Sequence, residues 1–268
     1  MRIAFIGGGT MAEAILNGVL ERKLAAPADI AVVEPVEARR THLTQQYGVV
    51  TTDDAKSAVS AGDIVVLAVK PQDLPKAMSN IKGTLTASQA VLSIVAGVKI
   101  GAIIAGLAHP AVIRVMPNTP AQIGAAASVW TATPEVTPER LDEARSLLQA
   151  IGEETQVASE KYVDMATGLS GSGPAYVFMF IESLTDAGVH VGLPRDMAAK
   201  LAVQTVLGSA QLVQQSGRHP AELRNMVTSP GGTTAEGTLV LEASGFRASV
   251  IEAVEAAYEK ALLLGEEE

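Results

Sequence analysis

The glycine run Gly7-Gly8-Gly9 constrains this chain more than any other feature, because it follows the apolar run Arg2–Ile6 and precedes a helix-compatible stretch, Met11–Arg22. With its neighbours, Gly7-Gly8-Gly9-Thr10-Met11-Ala12 is a G-x-G-x-x-A fingerprint. Glycines here let the backbone turn sharply and approach a pyrophosphate, whose charge the positive end of the next helix favours. Such a fingerprint carries meaning only inside a βαβ unit, so the rest of the chain has to supply one. Ile30–Val33, Ile64–Leu67, Val91–Val95 and Val112–Met116 read as further strands, with helical patterns at Glu37–Tyr47, Asp53–Ser60 and Leu74–Ile81 between them. Continuous apolar runs are strands covered on both faces, which predicts a parallel sheet. The first half is therefore expected to be a doubly wound α/β, Rossmann-like nucleotide-binding domain.

Strands continue at Ala126–Thr131 and Glu154–Val157, around a helix at Pro138–Ile151, and then the pattern changes. From about Tyr162 it is helical. The boundary is set near residue 160, with a dinucleotide-binding domain over 1–160 and an all-α substrate-binding and dimerisation domain over 161–268. Tyr176–Ile181 is apolar at every position, which calls for burial inside a bundle or at a subunit interface. Met197–Gln215 continues the bundle. In the last helix Phe246, Val250, Val254, Tyr258 and Leu262 recur every four residues, with Ile251 beside them, before the tail Glu266-Glu267-Glu268, read as a solvated terminus. That much apolar surface in a domain of this size predicts at least a dimer.

Composition narrows the function. With 48% hydrophobic and 18% charged residues the chain is globular, and a net charge of −9 without a basic run argues against nucleic acid as partner. The absence of cysteine excludes disulfide frameworks, thiolate metal sites and thiol catalysis, and the four histidines fall in no metal-ligand spacing. Met1–Ile6 reaches Gly7 too soon for a signal peptide, and Ala90–Ala108, the most hydrophobic tract, carries Lys99, Gly97, Gly101 and Gly106 and reads as a strand followed by a helix. A cytoplasmic protein outside the membrane is expected.

Ligands of doubly wound sheets lie outside the carboxyl ends of the strands. The cofactor set is accordingly Gly7, Gly8, Gly9, Thr10 and Met11; Ala68, Val69, Lys70 and Pro71; Ala96 and Gly97; Asn118 in the rigid turn Met116-Pro117-Asn118-Thr119-Pro120; and Glu34 at the end of the second strand. A carboxylate at Glu34 can accept both ribose hydroxyls of NADH and repels the 2′-phosphate of NADPH, while Arg39 and Arg40 lie near enough to reach a phosphate. Glu34 can equally be a solvated strand end, and Lys70 a phosphate contact or a surface lysine.

Two glycine-rich segments open helices in the second half, Ser170-Gly171-Ser172-Gly173-Pro174 and Ser229-Pro230-Gly231-Gly232-Thr233-Thr234. Each is a candidate anion site at a helix start, or simply a well-capped helix, since Pro174 suits a first helical position and Thr233 with Glu236 has capping-box spacing. No G-x-S-x-G nucleophile elbow is present.

Taken together, Phe5-Ile6-Gly7-Gly8-Gly9, Ala68-Val69-Lys70-Pro71-Gln72, Val115–Pro120, Gly168–Tyr176, Pro220-Ala221-Glu222-Leu223 and Val227–Thr234 make the chain resemble pyrroline-5-carboxylate reductases over essentially its full length. The resemblance implies hydride transfer from NAD(P)H to the imine carbon of 1-pyrroline-5-carboxylate, giving L-proline. It also implies an interlocked homodimer, or a decamer built from dimers. Ser229 and the amides of Gly231, Gly232 and Thr233 would hold the substrate carboxylate, Ser172 and Gly173 join the substrate set, and Thr234 would sit near the imine nitrogen as the catalytic residue. The family expectation is NADP, but where the family often has an asparagine this chain has Ala55, which with Glu34 admits NADH. The alternatives are a β-hydroxyacid dehydrogenase, whose G-x-x-x-K-x-x-x-N lysine is missing after Gly173, and a non-catalytic dinucleotide-binding protein.

Overall fold

The computed structural model describes residues 1–266, so Glu267 and Glu268 of the acidic tail lie outside the described residues. The first half alternates strands and helices in chain order: β1 (Ile3–Ile6), α1 (Thr10–Glu21), β2 (Ile30–Val33), α2 (Glu37–Tyr47), β3 (Val50–Thr52), α3 (Ala55–Ala61), β4 (Ile64–Leu67), α4 (Leu74–Ile81), β5 (Ala90–Ser93), α5 (Ile100–Leu107), β6 (Val112–Met116), β7 (Ala126–Ala132), α6 (Pro138–Gln149) and β8 (Gly152–Gln156). All eight strands join one sheet in the order β3-β2-β1-β4-β5-β6-β7-β8.

The apolar runs have the physical basis expected of them. In β1 all four residues are buried, with Ile3 and Phe5 in the core on one face of the sheet and Ala4 and Ile6 in the core on the other. The pairing of β1 with β2 and with β4 is parallel, Ile3 standing opposite both Ile30 and Ile64. Two features depart from the sequence reading. β3 was missed because it is a three-residue edge strand whose Val50 is exposed, so it has no apolar run. β7 runs antiparallel to β6, which makes the sheet mixed. The segment between Met116 and Ala126 is too short for the crossover that a parallel neighbour needs.

Buried charge ties the sheet to the next helix, α7 (Glu160–Ala166). Arg114 of β6 is 2% exposed and donates to Asp164 Oδ1 at 2.7 Å and Glu160 Oε1 at 3.0 Å. Lys99, just before α5, donates to the other Asp164 oxygen, and the Ile100 N–H donates to Glu160 Oε1 at 2.8 Å.

The remaining elements are a π turn (Thr167–Gly171), α8 (Gly173–His190), α9 (Arg195–Ser216), α10 (Pro220–Met226), α11 (Thr233–Ala243) and α12 (Phe246–Glu266). The chain divides into two compact units, Met1–Ser172 with the C-terminal segment from Ala256, and Gly173–Glu255. Within the first unit, the end of α12 seals the loop after β5. A Cβ on Gly97, whose φ is +81°, would lie 2.9 Å from Leu264 Cβ.

The second unit wears its apolar residues outside. Phe178 and Met179 of the Tyr176–Ile181 run are 62% and 66% exposed, and Leu201, Leu207, Leu239, Val240, Val250 and Ile251 are exposed as well. Of the two readings of that run, burial within the chain's own bundle is thereby excluded. Contiguous apolar surface of this kind marks an interface. Among the described residues no helix is long and apolar enough to cross a membrane. Sedimentation at micromolar concentration is expected to give at least a dimer, and an active monomer would contradict this.

Candidate active site

In the first unit the proposed cofactor residues fall on one edge of the sheet. Glu34 follows β2, Gly7–Gly9 follow β1, Ala68–Pro71 follow β4, Ala96 and Gly97 lie beyond β5, and Asn118 lies beyond β6. These strands are consecutive in the sheet, and β1, with β2 on one side and β4 on the other, is where the winding reverses.

The three glycines have three different reasons to be glycine. Gly7 has φ +102°, and a Cβ there would lie 2.6 Å from the Ala68 carbonyl oxygen, so only glycine makes this turn. A Cβ on Gly8 would press on Leu43 Cδ1 at 2.9 Å, a packing constraint. Around Gly9 a Cβ would meet nothing within 4 Å, and its φ of −70° is open to any residue. The protein itself places no demand for glycine at Gly9. Gly9 is also the N-cap of α1, with no side chain capping the helix, so the amides of Thr10 and Met11 lack a side-chain acceptor. Ala12, buried at 2% exposure, completes the fingerprint as the small residue packed into the core. This cradle fits a dinucleotide pyrophosphate.

Glu34 is not a solvated strand end. It is 9% exposed, and its carboxylate accepts the Gly8 N–H at 3.1 Å and the Val36 N–H at 2.9 Å. Both nearby arginines are engaged. Arg39 donates to the Gly8 carbonyl at 2.6 Å and to Glu13 at 2.5 Å, and Arg40 donates to the carbonyls of Glu34 at 2.7 Å and Pro35 at 2.9 Å. Lys70 is exposed, and its side chain makes no ion pair or hydrogen bond among the described residues.

The sequence reading missed Glu13. It stands in the first turn of α1 and accepts from Arg39, from Tyr47 at 3.0 Å and from His42 at 2.9 Å, locking α2 onto the glycine loop. Its one visible signal was an acid in the otherwise apolar stretch Met11–Leu16. Burial raises its pKa, but hydrogen bonds from Arg39, His42 and Tyr47 outweigh this and hold it below the usual carboxylate range. A carboxylate with a depressed folded-state pKa adds stability above its ordinary value of about 4.3 and loses it as pH falls through the lower folded value. Glu13→Gln is expected to lower Tm at neutral pH, with the difference closing below about pH 4; a gap that stays constant across the acid range would contradict this.

The segment Ser170–Pro174 is not the glycine loop expected. Thr167–Gly171 form a π turn following directly on α7, and Pro174 is the second residue of α8 rather than its first. Asn118 reaches this turn: its Nδ2 donates to the Ser170 carbonyl at 3.0 Å, and its Oδ1 accepts the Ala127 N–H at 2.9 Å. Asn118 thus bridges two backbone segments through one amide N–H and its carbonyl oxygen.

In the second unit, Ser229–Thr234 do bring a helix start and a hydroxyl together. The N-cap of α11 is Gly232, so Thr233 lies one place inside the helix and the capping box with Glu236 does not form. No side chain caps α11, which leaves the amides of its first turn for an external acceptor. Gly231 has φ +64°, and the Gly232 N–H donates to the Ser229 carbonyl at 3.0 Å. A Cβ on Gly232 would lie 2.3 Å from Ser229 Oγ, so the hydroxyl stands directly over the helix start. Thr234 is half-buried and its carbonyl accepts the Thr238 hydroxyl at 2.8 Å. Among the described residues no group of acids and histidines could hold a metal.

Comparison with known proteins agrees with this layout. Residues 160–264 match the family "Pyrroline-5-carboxylate reductase dimerisation", and residues 2–97 match "NADP oxidoreductase coenzyme F420-dependent". The chain is 45% identical to the pyrroline-5-carboxylate reductase of Synechocystis, covering 99% of this chain and 98% of that one. It is 42% identical to the Escherichia coli enzyme, over 97% and 96%. Among solved structures, the Coxiella burnetii pyrroline-5-carboxylate reductase superposes with a TM-score of 0.91 at 35% identity, over 98% of both chains. The Plasmodium falciparum pyrroline carboxylate reductase, solved with NADP bound, superposes with a TM-score of 0.90 at 32% identity, over 99% and 98%. A glycine cradle at the sheet's switch point, an uncapped helix start beside a serine hydroxyl, and full-length similarity at this level together mean that the chain belongs to the pyrroline-5-carboxylate reductase family.

Proposed function

We propose that this protein reduces 1-pyrroline-5-carboxylate to L-proline with NAD(P)H. The observation that carries the reading is the start of α11, where an uncapped helix N-terminus and the Ser229 hydroxyl present the donors a small carboxylate needs. Ser229 Oγ with the amides of Gly231 and Thr233 binds the substrate carboxylate, the Gly232 N–H that was expected to join them being taken by the Ser229 carbonyl, and Ser172 and Gly173 complete the substrate set. When bound, NAD(P)H supplies the hydride. A protonated cyclic imine accepts hydride without a strong protein acid, so the residues orient more than they titrate. The Thr234 hydroxyl orients the imine nitrogen. Gly7–Met11, Ala68–Pro71, Ala96, Gly97 and the turn at Asn118 hold the dinucleotide, with the pyrophosphate at Gly9.

NADP is bound in the Plasmodium relative. In this chain Glu34 and Ala55 favour NADH or weaken the discrimination, because a 2′-phosphate would meet the Glu34 carboxylate. Glu34→Ser is expected to shift the preference toward NADPH, read as the ratio of the two kcat/KM values; an unchanged ratio would show that Glu34 serves the loop alone. The functional halves are residues 1–160 and 161–268, and the exposed apolar face of the second builds a homodimer, with decamers of dimers as the larger assembly. The protein works in the cytoplasm.

The test of the function is consumption of each reduced dinucleotide with pyrroline-5-carboxylate, set against consumption of oxidised dinucleotide with a 3-hydroxy acid. Turnover only in the first pair is expected, and turnover only in the second would sustain the hydroxyacid alternative. Thr234→Ala is expected to lower kcat/KM by about tenfold, the scale of one lost oriented hydrogen bond, with Tm little changed, and Thr234→Ser to retain much of the activity. Gly232→Ala is expected to raise the KM for the imino acid by about tenfold, because the new methyl displaces the Ser229 hydroxyl.

A further inference from the structure

The helical backbone departs from ordinary geometry at one place between α7 and α8. In the π turn Thr167–Gly171 the Ser172 N–H donates five residues back, to the Thr167 carbonyl, at 2.9 Å. A π turn gives up regular α-helical bonding, and such bulges concentrate at functional sites. Three features hold this one open. Pro174 has no N–H, so the Ser170 carbonyl cannot receive the bond that the residue four further on supplies in an α-helix. Asn118 takes that place, donating to the Ser170 carbonyl at 3.0 Å while the Ala127 N–H anchors its other end at 2.9 Å. Gly171 lets the turn close onto the end of β6, since a Cβ there would lie 2.8 Å from Met116 Cε.

We infer that Asn118 and Pro174 are positioning residues for the reaction: together they keep the Thr167–Gly171 π turn open, and the open turn sets where Ser172 and Gly173 stand for the imino acid. This rests on the reading of Ser172 and Gly173 as substrate residues. Asn118 serves the substrate through the π turn that it braces. Closing the turn to α-helix would change the register by one residue and swing Ser172 and Gly173 about 100° around the helix axis.

The experiment is a double-mutant cycle of Asn118→Ala and Pro174→Ala, with Tm, the KM for pyrroline-5-carboxylate and the KM for the reduced dinucleotide measured for each form. Pro174→Ala restores a backbone N–H for the Ser170 carbonyl, so Tm is expected to hold or rise. The imino-acid KM is expected to rise by about tenfold or more, because small misplacements cost that much, while the dinucleotide KM stays within about twofold. Asn118→Ala strands the Ser170 carbonyl and the Ala127 amide and lowers Tm. The double variant regains part of that Tm, because the restored N–H satisfies Ser170, yet keeps the high imino-acid KM. If the single variants fold poorly, Asn118→Asp, which keeps the acceptor for Ala127 and sets a carboxylate oxygen against the Ser170 carbonyl in place of the donor, is expected to show the same imino-acid effect. Recovery of Tm and KM together would mean a merely structural role and overturn the inference. So would variants whose KM values match wild type, or an effect confined to the dinucleotide KM. A wild-type protein that does not turn over pyrroline-5-carboxylate would instead overturn the functional reading underneath.

Discussion

Gly9→Ala is expected to raise the KM for the reduced dinucleotide by about tenfold to a hundredfold while leaving the fold intact, because a methyl group would stand where the pyrophosphate meets the backbone. Nothing in the protein lies within 4 Å of that methyl, and the φ of −70° suits alanine, so the expected stability change is a few tenths of a kcal/mol. The neighbouring Gly7→Ala gives the opposite result. Its Cβ would lie 2.6 Å from the Ala68 carbonyl at a φ of +102°, so it should unfold the loop, with a cost of about 1–3 kcal/mol from the backbone conformation alone. Titration of reduced dinucleotide by fluorescence, alongside thermal melts, checks both. Equal losses of stability in the two variants would mean that Gly9 is structural after all.

The largest effect on stability is expected at Arg114. Its guanidinium and the Asp164 carboxylate are each 2% exposed, so Arg114→Met leaves Asp164 buried with only the half-buried Lys99 for company. Breaking one side of a buried pair costs about 3–5 kcal/mol, here about a 10 °C fall in Tm. Replacing Arg114, Glu160 and Asp164 together by apolar residues of similar size should return much of the loss, since the penalty is the uncompensated charge rather than the missing attraction. A single variant as stable as wild type would show that water reaches Asp164.

The central strands of the sheet were legible because they are buried on both faces, and a residue such as Val65 or Val66 has no polar neighbour to obscure the run. The cofactor edge followed from topology, since strand ends in a doubly wound sheet converge by construction. What escaped the sequence lies where two distant segments answer one another. Arg114 stands inside an apolar strand, and nothing near it in the chain points to its acids, Glu160 and Asp164, 46 and 50 residues on. Pro174 suits a helix opening, whereas the π turn before it depends on Asn118, 52 residues before the carbonyl it serves. The capping box failed at Gly232 for a local reason: the helix begins one residue earlier than the threonine suggests, and the glycine left in the cap position is what keeps the end open to a ligand.

Hydride delivery to an imine carbon is the central step of the proposed reaction. The most direct measurement is therefore to supply reduced dinucleotide carrying deuterium at its transferable position, with pyrroline-5-carboxylate and the purified protein, and to examine the product by mass spectrometry and NMR. One deuterium at C5 of L-proline for each dinucleotide oxidised is the predicted result. Dinucleotide consumed with no labelled proline, or proline unlabelled at C5, would contradict it.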